Sequence, residues 1–462
     1  MGKLPARGHT LETMSASDQD PARDEAVRHL QALLRIDTTN PPGNELAAAE
    51  YLAGVLRAEG FEPMILEAAP NRGNLIARQR GDGTAAPLLL YAHTDVVPAE
   101  PDKWTQPPFS GALVDGFVWG RGALDMKSMV VMELMTMLGL KRSGEPLHRD
   151  VIFAATADEE IDSDVGAGWL VAKHPDLVRA EYGISEFGGY SLYVNGKRFY
   201  PIMTAEKGVC WMKIRARGRA GHAAVPQEDN AVLELARAID RAAGRPLPLH
   251  VTPTAASFVR RIADALEPLE ALRMRALLNP LTHDLAAAGL HRNGFISGVR
   301  AILHNTVSPT GLNAGLKSNV IPSEAEATLD GRVLPGFDRE SFLAELRPRL
   351  GRRIEIEVEH YSPPLEITAD TPLFRAMEAN LRQHDPDGIV VPYMLSGATD
   401  AKLFSQLGTR CYGFSPLKLR PDEPFDRLIH AHDERVSVEA LTFGVQVLYQ
   451  TVRHFCQQSL SA

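Results

Sequence analysis

The stretch "VIFAATADEEID", residues 151–162, is an apolar run that delivers three acids in succession, Asp158, Glu159 and Glu160. Acidic residues are depleted in strands and seldom buried without a partner, so their arrival at the end of a core strand calls for solvent or for a cation. The pattern recurs along the chain. "LLLYAHTD" ends in His93 and Asp95, and "EYGISEFGG" offers Glu186 shortly before two glycines. Asp125 follows "GRGAL" and precedes a Met-rich helical pattern, a position where capping the helix is a sufficient explanation for it. "RLIHAHDERV" supplies His430 and His432, alternating residues that would point the same way on a strand. Each residue alone has an ordinary structural reading. Their conjunction concentrates imidazole and carboxylate just beyond the carboxyl ends of strands, where open α/β sheets bind ligands.

Imidazole and carboxylate without thiolate suit zinc, cobalt or manganese, with one position left for water in a hydrolytic site. A pair of cations about 3.5–4 Å apart is the use that needs an excess of carboxylates, because the two ions acidify one shared water while polarising a carbonyl. Such chemistry also needs a base. Neighbouring residues on an extended chain point to opposite sides, which predicts Glu160 facing the metals and Glu159 facing the substrate.

Stepping from these residues to the elements that carry them, helical patterns such as "EAVRHLQALLRI" and "ELAAAEYLAGVLRAEG" alternate with apolar runs such as "NLIARQ", "PLLLYA" and "VIFAAT". This predicts an α/β domain around a mainly parallel sheet. "SGALVDGFVWGRGALD" reads as a hairpin around Asp115 and Gly116, and the methionines of "MKSMVVMELMTMLGL" read as core packing. From Glu206 the texture changes to half-exposed strands and capped helices, the pattern of a smaller α+β domain inserted into the larger one. The expected organisation is a flexible tail over 1–22, a catalytic domain over 23–205 and 361–462, and the insertion over 206–360. Within the insertion, about Pro246 to Gly298 is mostly helical in pattern and carries no readable role.

At 462 residues, with 44% hydrophobic and 23% charged residues, the composition is that of a soluble globular protein. A formal charge of −9 without a Lys/Arg block argues against nucleic acid and anionic membrane surfaces as partners. Cys210, Cys411 and Cys456 are far apart and odd in number, which suits a reducing cytoplasm rather than a disulfide framework. The first residues lack the apolar core of a signal peptide, and no run approaches a membrane span.

Taken in order, "YAHTDVVP", "WGRGALDMK", "ADEE", "SEFGG", "GRAGHAAVP", "SNVIPSEAEATLDGRVLPG", "SGATDAKLF" and "HAHDE" resemble the motifs of the dinuclear zinc family of aminoacylases, acetylornithine deacetylase, succinyl-diaminopimelate desuccinylase and glutamate carboxypeptidase. The resemblance spans most of the chain. It implies that Asp125 bridges two divalent ions, zinc or else cobalt or manganese, with His93 and Glu186 completing one and Glu160 and His430 the other. His430 is preferred to His432 by the family's spacing. The resemblance further implies Asp95 as the carboxylate holding the His93 ring and Glu159 as the general base. It makes the insertion a ferredoxin-like lid and dimerisation domain, with His222 reaching across a homodimer to the oxyanion. Arg332 resembles the substrate-carboxylate binder, helped by Asn319 and the Gly397 to Thr399 backbone. Phe187 departs from the pattern, standing where many relatives have glycine after the glutamate. The implied activity is hydrolysis of an amide or peptide bond in a small carboxylate-bearing substrate, an N-acyl amino acid or short peptide. The competing readings are a non-catalytic metal-binding relative and an aminopeptidase that would need a free substrate amine but not Arg332.

Overall fold

A computed structural model describes residues 20–288, 294–423 and 425–458. Most of the expected tail, residues 1–19, lies outside them. Asp20 already caps a helix, Pro21–Leu34, by accepting from the Ala22 N–H at 3.0 Å, so the helical chain starts before the expected boundary at 23. The chain divides into two units: one comprises residues up to Met203, Thr368–Val391 and residues from Thr399 onward, the other Thr204–Ile367 with Pro392–Ala398.

In the first unit Val151–Thr156, Leu88–His93, Tyr182–Ser185 and Arg410–Gly413 lie side by side in that order and run parallel. Every residue of the first three is buried, as parallel strands covered on both faces require. At one margin Arg72–Gln79 and then Met64–Ala69 add antiparallel, and at the other Gly413 pairs antiparallel with Met203. The sheet is thus parallel at its centre and antiparallel at its edges. The helix Lys127–Ser143 is buried from Lys127 through Leu140 and packs against Pro21–Leu34 and Val438–Gln457, so its methionines are core. Before it, Ala112–Val114 and Phe117–Trp119 form the expected hairpin. Its turn residues Asp115 and Gly116 both adopt positive φ, 51° and 80°, the conformation a two-residue hairpin turn demands. His93 pairs with Thr156 across the parallel ladder, so the Leu88 and Val151 strands end at one edge of the sheet.

In the second unit Gly208–Arg217, Ala231–Ala243, Thr306–Ala314, Glu324–Val333, Arg339–Leu350 and Ile354–Ser362 follow one another as β-α-β-β-α-β. Their antiparallel sheet runs second, third, first, fourth, the ferredoxin-like order. Met212, Ile214, Leu235, Leu329, Phe342 and Leu346 form its core. Side-chain caps start both helices, Asn230 on the Val232 and Leu233 N–H groups and Asp338 in a capping box with Ser341. The unit extends beyond the expected 206–360 because Leu365–Glu366 pairs back onto Ala205 and Glu206. Among the described residues between its first helix and second strand are the further helices Pro253–Asp264, Pro268–Ala276, His283–Ala288 and Gly294–Ala301. Buried Lys207 anchors the end of that segment, its Nζ donating to the carbonyls of Ala301 (3.0 Å) and His304 (2.8 Å) and to Thr306 Oγ1 (3.0 Å). Among the described residues no helix is long and apolar enough to cross a membrane.

Candidate active site

The carboxyl ends of three parallel strands deliver most of the chemistry. His93 is the last residue of its strand and is 2% exposed. Its Nδ1 lies 3.0 Å from the Asp95 carbonyl and 3.4 Å from Asp95 Oδ1, so the backbone of Asp95 orients the ring more closely than the expected carboxylate does. Besides facing His93, the Asp95 carboxylate accepts the backbone N–H groups of Glu159 and Glu160, each at 3.1 Å. Glu186 follows the Tyr182–Ser185 strand, and its Oε2 lies 3.6 Å from His93 Nε2. Glu159 Oε2 lies 3.9 Å from the same nitrogen. Glu159 and Glu160 occupy a turn rather than extended chain, so the turn, not strand alternation, separates their side chains.

Asp125 does not cap the following helix. That helix begins at Lys127 without a side-chain cap, and Asp125 instead sits with Oδ1 3.2 Å from His93 Nε2 and Oδ2 3.2 Å from His430 Nε2. His430 also lies 3.2 Å from Glu160 Oε2. It stands at φ 56° in a turn rather than on the expected strand, which begins only at Arg435. His432 turns away and pairs with Glu100 at 3.0 Å on the surface. The Asp125 loop is held by a residue to which the sequence assigned no role. Buried Glu434 accepts from the N–H groups of Gly122 (3.0 Å), Leu124 (2.7 Å) and Asp125 (3.0 Å) and from Arg121 Nη1 (2.7 Å). Gly122, at φ 89°, lies so close to Val96 that a Cβ would collide with it. Asp400 was also missed: it accepts from Ser163 Oγ at 2.6 Å and stands near enough to raise the proton affinities of Glu159 and Glu186.

Two ligand sets result, His93 with Asp125 and Glu186, and Asp125 with Glu160 and His430, each offering atoms within 4.8 Å of one another. Their chemistry fits divalent cations. The His93 Nδ1–H donates to a carbonyl, which only accepts, so a neutral ring turns its Nε2 lone pair toward the Asp125 and Glu186 oxygens. Glu160 Oε1 and Glu186 Oε2 are buried with no hydrogen-bond partner. Burial, aided by the Glu186 charge, holds the Glu159 carboxyl well above the usual range, and burial lifts Glu186 to about 8 and Asp400 to about 6. Hydrogen bonding to Asp125 and Glu160 raises His430 to about 10. Crowded buried carboxyls with two imidazoles held against them are an arrangement that cations on either side of Asp125 would satisfy, each taking the place of the imidazole protons.

The remaining residues lie mostly in the second unit. His222 stands exposed on a two-stranded ribbon opposite Val320, and the adjoining Ala223 N–H donates to the Asn319 carbonyl at 3.1 Å. Its Nδ1 accepts the Ala224 N–H at 3.1 Å, which puts the proton of a neutral ring on Nε2. Arg332 forms a two-pronged ion pair with Asp330 at 2.8 and 2.9 Å. Gly397 belongs to the second unit's Pro392–Ala398 segment. Thr399 begins the next segment of the first unit, where its Oγ1 accepts the Ala401 N–H. Phe187, at φ 56°, packs edge-on against Phe425, which stacks on Tyr190 at 4.2 Å.

A sequence profile described as peptidase family M20/M25/M40 matches residues 89–454. Human N-fatty-acyl-amino acid synthase/hydrolase PM20D1 is 29% identical over 97% of this chain and 90% of its own. Among solved structures, the M20 family metallo-carboxypeptidase Sso-CP2 from Sulfolobus solfataricus aligns at TM-score 0.69 with 19% identity, covering 94% of this chain and 99% of its own. The Bacillus subtilis protein YXEP, described as a dinuclear metal-binding peptidase from the M20 family, aligns at TM-score 0.58 with 16% identity, covering 95% of this chain and 99% of its own.

Proposed function

Because the chain belongs to peptidase family M20/M25/M40, it is a metal-dependent hydrolase of amide or peptide bonds, and we propose that it deacylates N-acyl amino acids or cleaves short peptides bearing a free carboxylate. The observation that carries this is the pair of ligand sets sharing Asp125. His93, Asp125 and Glu186 would hold one divalent ion, and Asp125, Glu160 and His430 the other. Zinc suits these nitrogen and oxygen ligands, with cobalt or manganese as alternatives. When bound, such a pair supplies Lewis acidity, polarising the scissile carbonyl and acidifying water.

Glu159 is the base. Its buried carboxyl has a raised proton affinity, which suits accepting a proton from water as the water oxygen attacks the carbonyl carbon. The same proton then passes to the amide nitrogen as the carbon–nitrogen bond breaks, and Glu159 returns to its starting state. His222 presents an Nε2–H and would donate it to the oxyanion formed at the carbonyl oxygen, supplied across a homodimer. Arg332 would take the substrate carboxylate with its fork, exchanging Asp330 for it, and Asn319, Gly397 and Thr399 would be its helpers. The relative named for N-fatty-acyl amino acids supports an apolar acyl group on that substrate. Cysteines that are buried and joined in no disulfide among the described residues support a cytoplasmic setting.

Metal analysis of the purified protein and hydrolysis of a panel of N-acyl amino acids test this reading. Close to two ions per chain and chelator-sensitive release of amino acid are expected. Metal-free protein, or hydrolysis indifferent to chelator, would overturn it.

A further inference from the structure

Asp158, the first acid of "DEE", belongs to neither ligand set, yet it is the most heavily tethered of the three. Its Oδ1 accepts from Arg72 Nη2 at 2.8 Å and from Asn40 Nδ2 at 3.0 Å, and its Oδ2 from the Val165 N–H at 3.3 Å. Its carbonyl accepts the Ser163 N–H at 2.7 Å. These bonds hold it at φ 71°, a left-handed conformation that side-chain-bearing residues avoid. The turn carrying Glu159 and Glu160 starts from that residue.

The tether continues on both sides. The Asn40 amide that reaches Asp158 also donates to Asp95 Oδ2 at 2.9 Å, and the two oxygens of Asp95 receive the N–H groups of Glu159 and Glu160. In the other direction the Arg72 guanidinium is gripped by Glu45 at 2.7 and 2.8 Å, and Glu45 is fully buried. Gly43, at φ 84°, leaves the guanidinium its place, since a Cβ there would overlap it. Arg72 therefore joins two buried carboxylates, one belonging to the framework and one to the turn that carries the base.

We propose that Arg72 is a positioning residue for the reaction. Acting through Asp158 and Asn40, it fixes the turn so that Glu160 points to His430 and Asp125 while Glu159 stays free to move a proton. The proposal rests on the assignment of Glu159 as base and Glu160 as ligand. Lysine cannot replace the fork, because a single ammonium cannot hold Glu45 and Asp158 in this geometry.

Steady-state kinetics and chelator competition on the zinc-loaded full chain test it. Arg72→Lys is expected to lower kcat by about 10- to 100-fold, with KM changed less than about twofold. The ion that involves Glu160 should be released more easily, while the ion held by His93 and Glu186 keeps its affinity. A purely structural ion pair behaves differently. In the charge-balanced Arg72→Gln/Glu45→Gln protein the melting temperature should recover while kcat stays low, because Asp158 still lacks its cation. Asn40→Ala leaves the Glu45 pair intact and should reproduce the kinetic defect, which decides the matter if the Arg72 variants do not fold. Wild-type kcat in the double variant or in Asn40→Ala, or equal loss of both ions in Arg72→Lys, overturns the proposal. Failure of the functional reading itself would appear in the wild-type arm, as absent metal or absent hydrolysis, before any variant is compared.

Discussion

Lys127 and Lys207 are both fully buried, and each directs its ammonium to the carbonyls that end a helix. Lys127 Nζ donates to Leu33 (3.0 Å) and Ile36 (2.8 Å) at the end of Pro21–Leu34, and Lys207 Nζ to Ala301 and His304 at the end of Gly294–Ala301. Cations are favoured there because terminal carbonyls lack intrahelical partners and carry the negative end of the helix dipole. The carboxylates beyond the strand ends are arranged in the opposite way. Glu160 and Glu186 each leave a buried oxygen without a hydrogen-bond partner, and the groups nearest them are further carboxylates and the imidazoles of His430 and His93. A buried polar group that is fully matched stabilises one conformation, whereas one left unmatched is held in place by the surrounding fold for something that is to arrive. Among these four residues, saturation separates the charges matched within the fold from those left open.

The sharpest way to break that contrast is Glu159→Gln, which keeps the shape and removes the base. Turnover should fall by about 100- to 10,000-fold while metal content is unchanged. Kinetics beside metal analysis of the same preparation check it, and retained turnover would place Glu159 among the merely structural acids.

A smaller effect separates the two histidines near the C-terminal end of the chain. His430→Ala removes a ring placed 3.2 Å from both Asp125 and Glu160, and should weaken one of the two ions by at least about 100-fold in a chelator titration. His432→Ala breaks only an exposed, solvent-screened contact with Glu100 and should titrate as wild type. Reversed outcomes would move the ligand assignment to His432.

From the saturated side of the comparison, Lys207→Met leaves the Ala301 and His304 carbonyls and Thr306 Oγ1 without that donor. Denaturant unfolding should show a loss on the order of 2–4 kcal/mol, with metal content intact. Metal loss in this variant would contradict the division between structural and working charges.

What could be read in advance follows the same division. Strand-end residues such as His93, Glu160 and Glu186 were legible because an apolar run followed by His or Glu is a local pattern, and the ordered motifs of a family lie over it. The parallel centre of the sheet was legible from runs buried on both faces, but its antiparallel margins were not, because periodicity does not give strand direction. Asp125 could be read from its position alone either as a cap or as a bridging carboxylate, since a helix start and a ligand position look identical in one dimension. Glu434, Asn40 and Arg72 were missed for a different reason. Arg121 and Glu434 are 313 positions apart, and Arg72 and Asp158 are 86 apart, so no local pattern announces their pairing. Glu434 sat inside "HAHDE", but only the three-dimensional loop shows that it serves the Asp125 backbone.

Glu133 is the case that lies between the two classes. It sits fully buried in the middle of the Lys127–Ser143 helix, outside both ligand sets, and its oxygens have no side-chain partner, only a weak hydrogen bond from the Tyr91 backbone. Burial raises its proton affinity well above the usual carboxylate value, outweighing the opposing hydrogen bond from the Tyr91 backbone. The folded chain therefore holds this proton more tightly than the unfolded chain does. The stabilising contribution is complete below the unfolded carboxyl pKa, near 4.5, and is lost as pH rises toward the folded value. Glu133→Gln keeps the volume and removes the titration, so its melting temperature should match wild type at pH 4.5 and exceed it by on the order of 2–4 °C at pH 8. Paired thermal melts across that range measure the gap. A gap that stays constant with pH would mean that Glu133 keeps the same protonation in both states, and that an unmatched buried acid need not be either saturated or working.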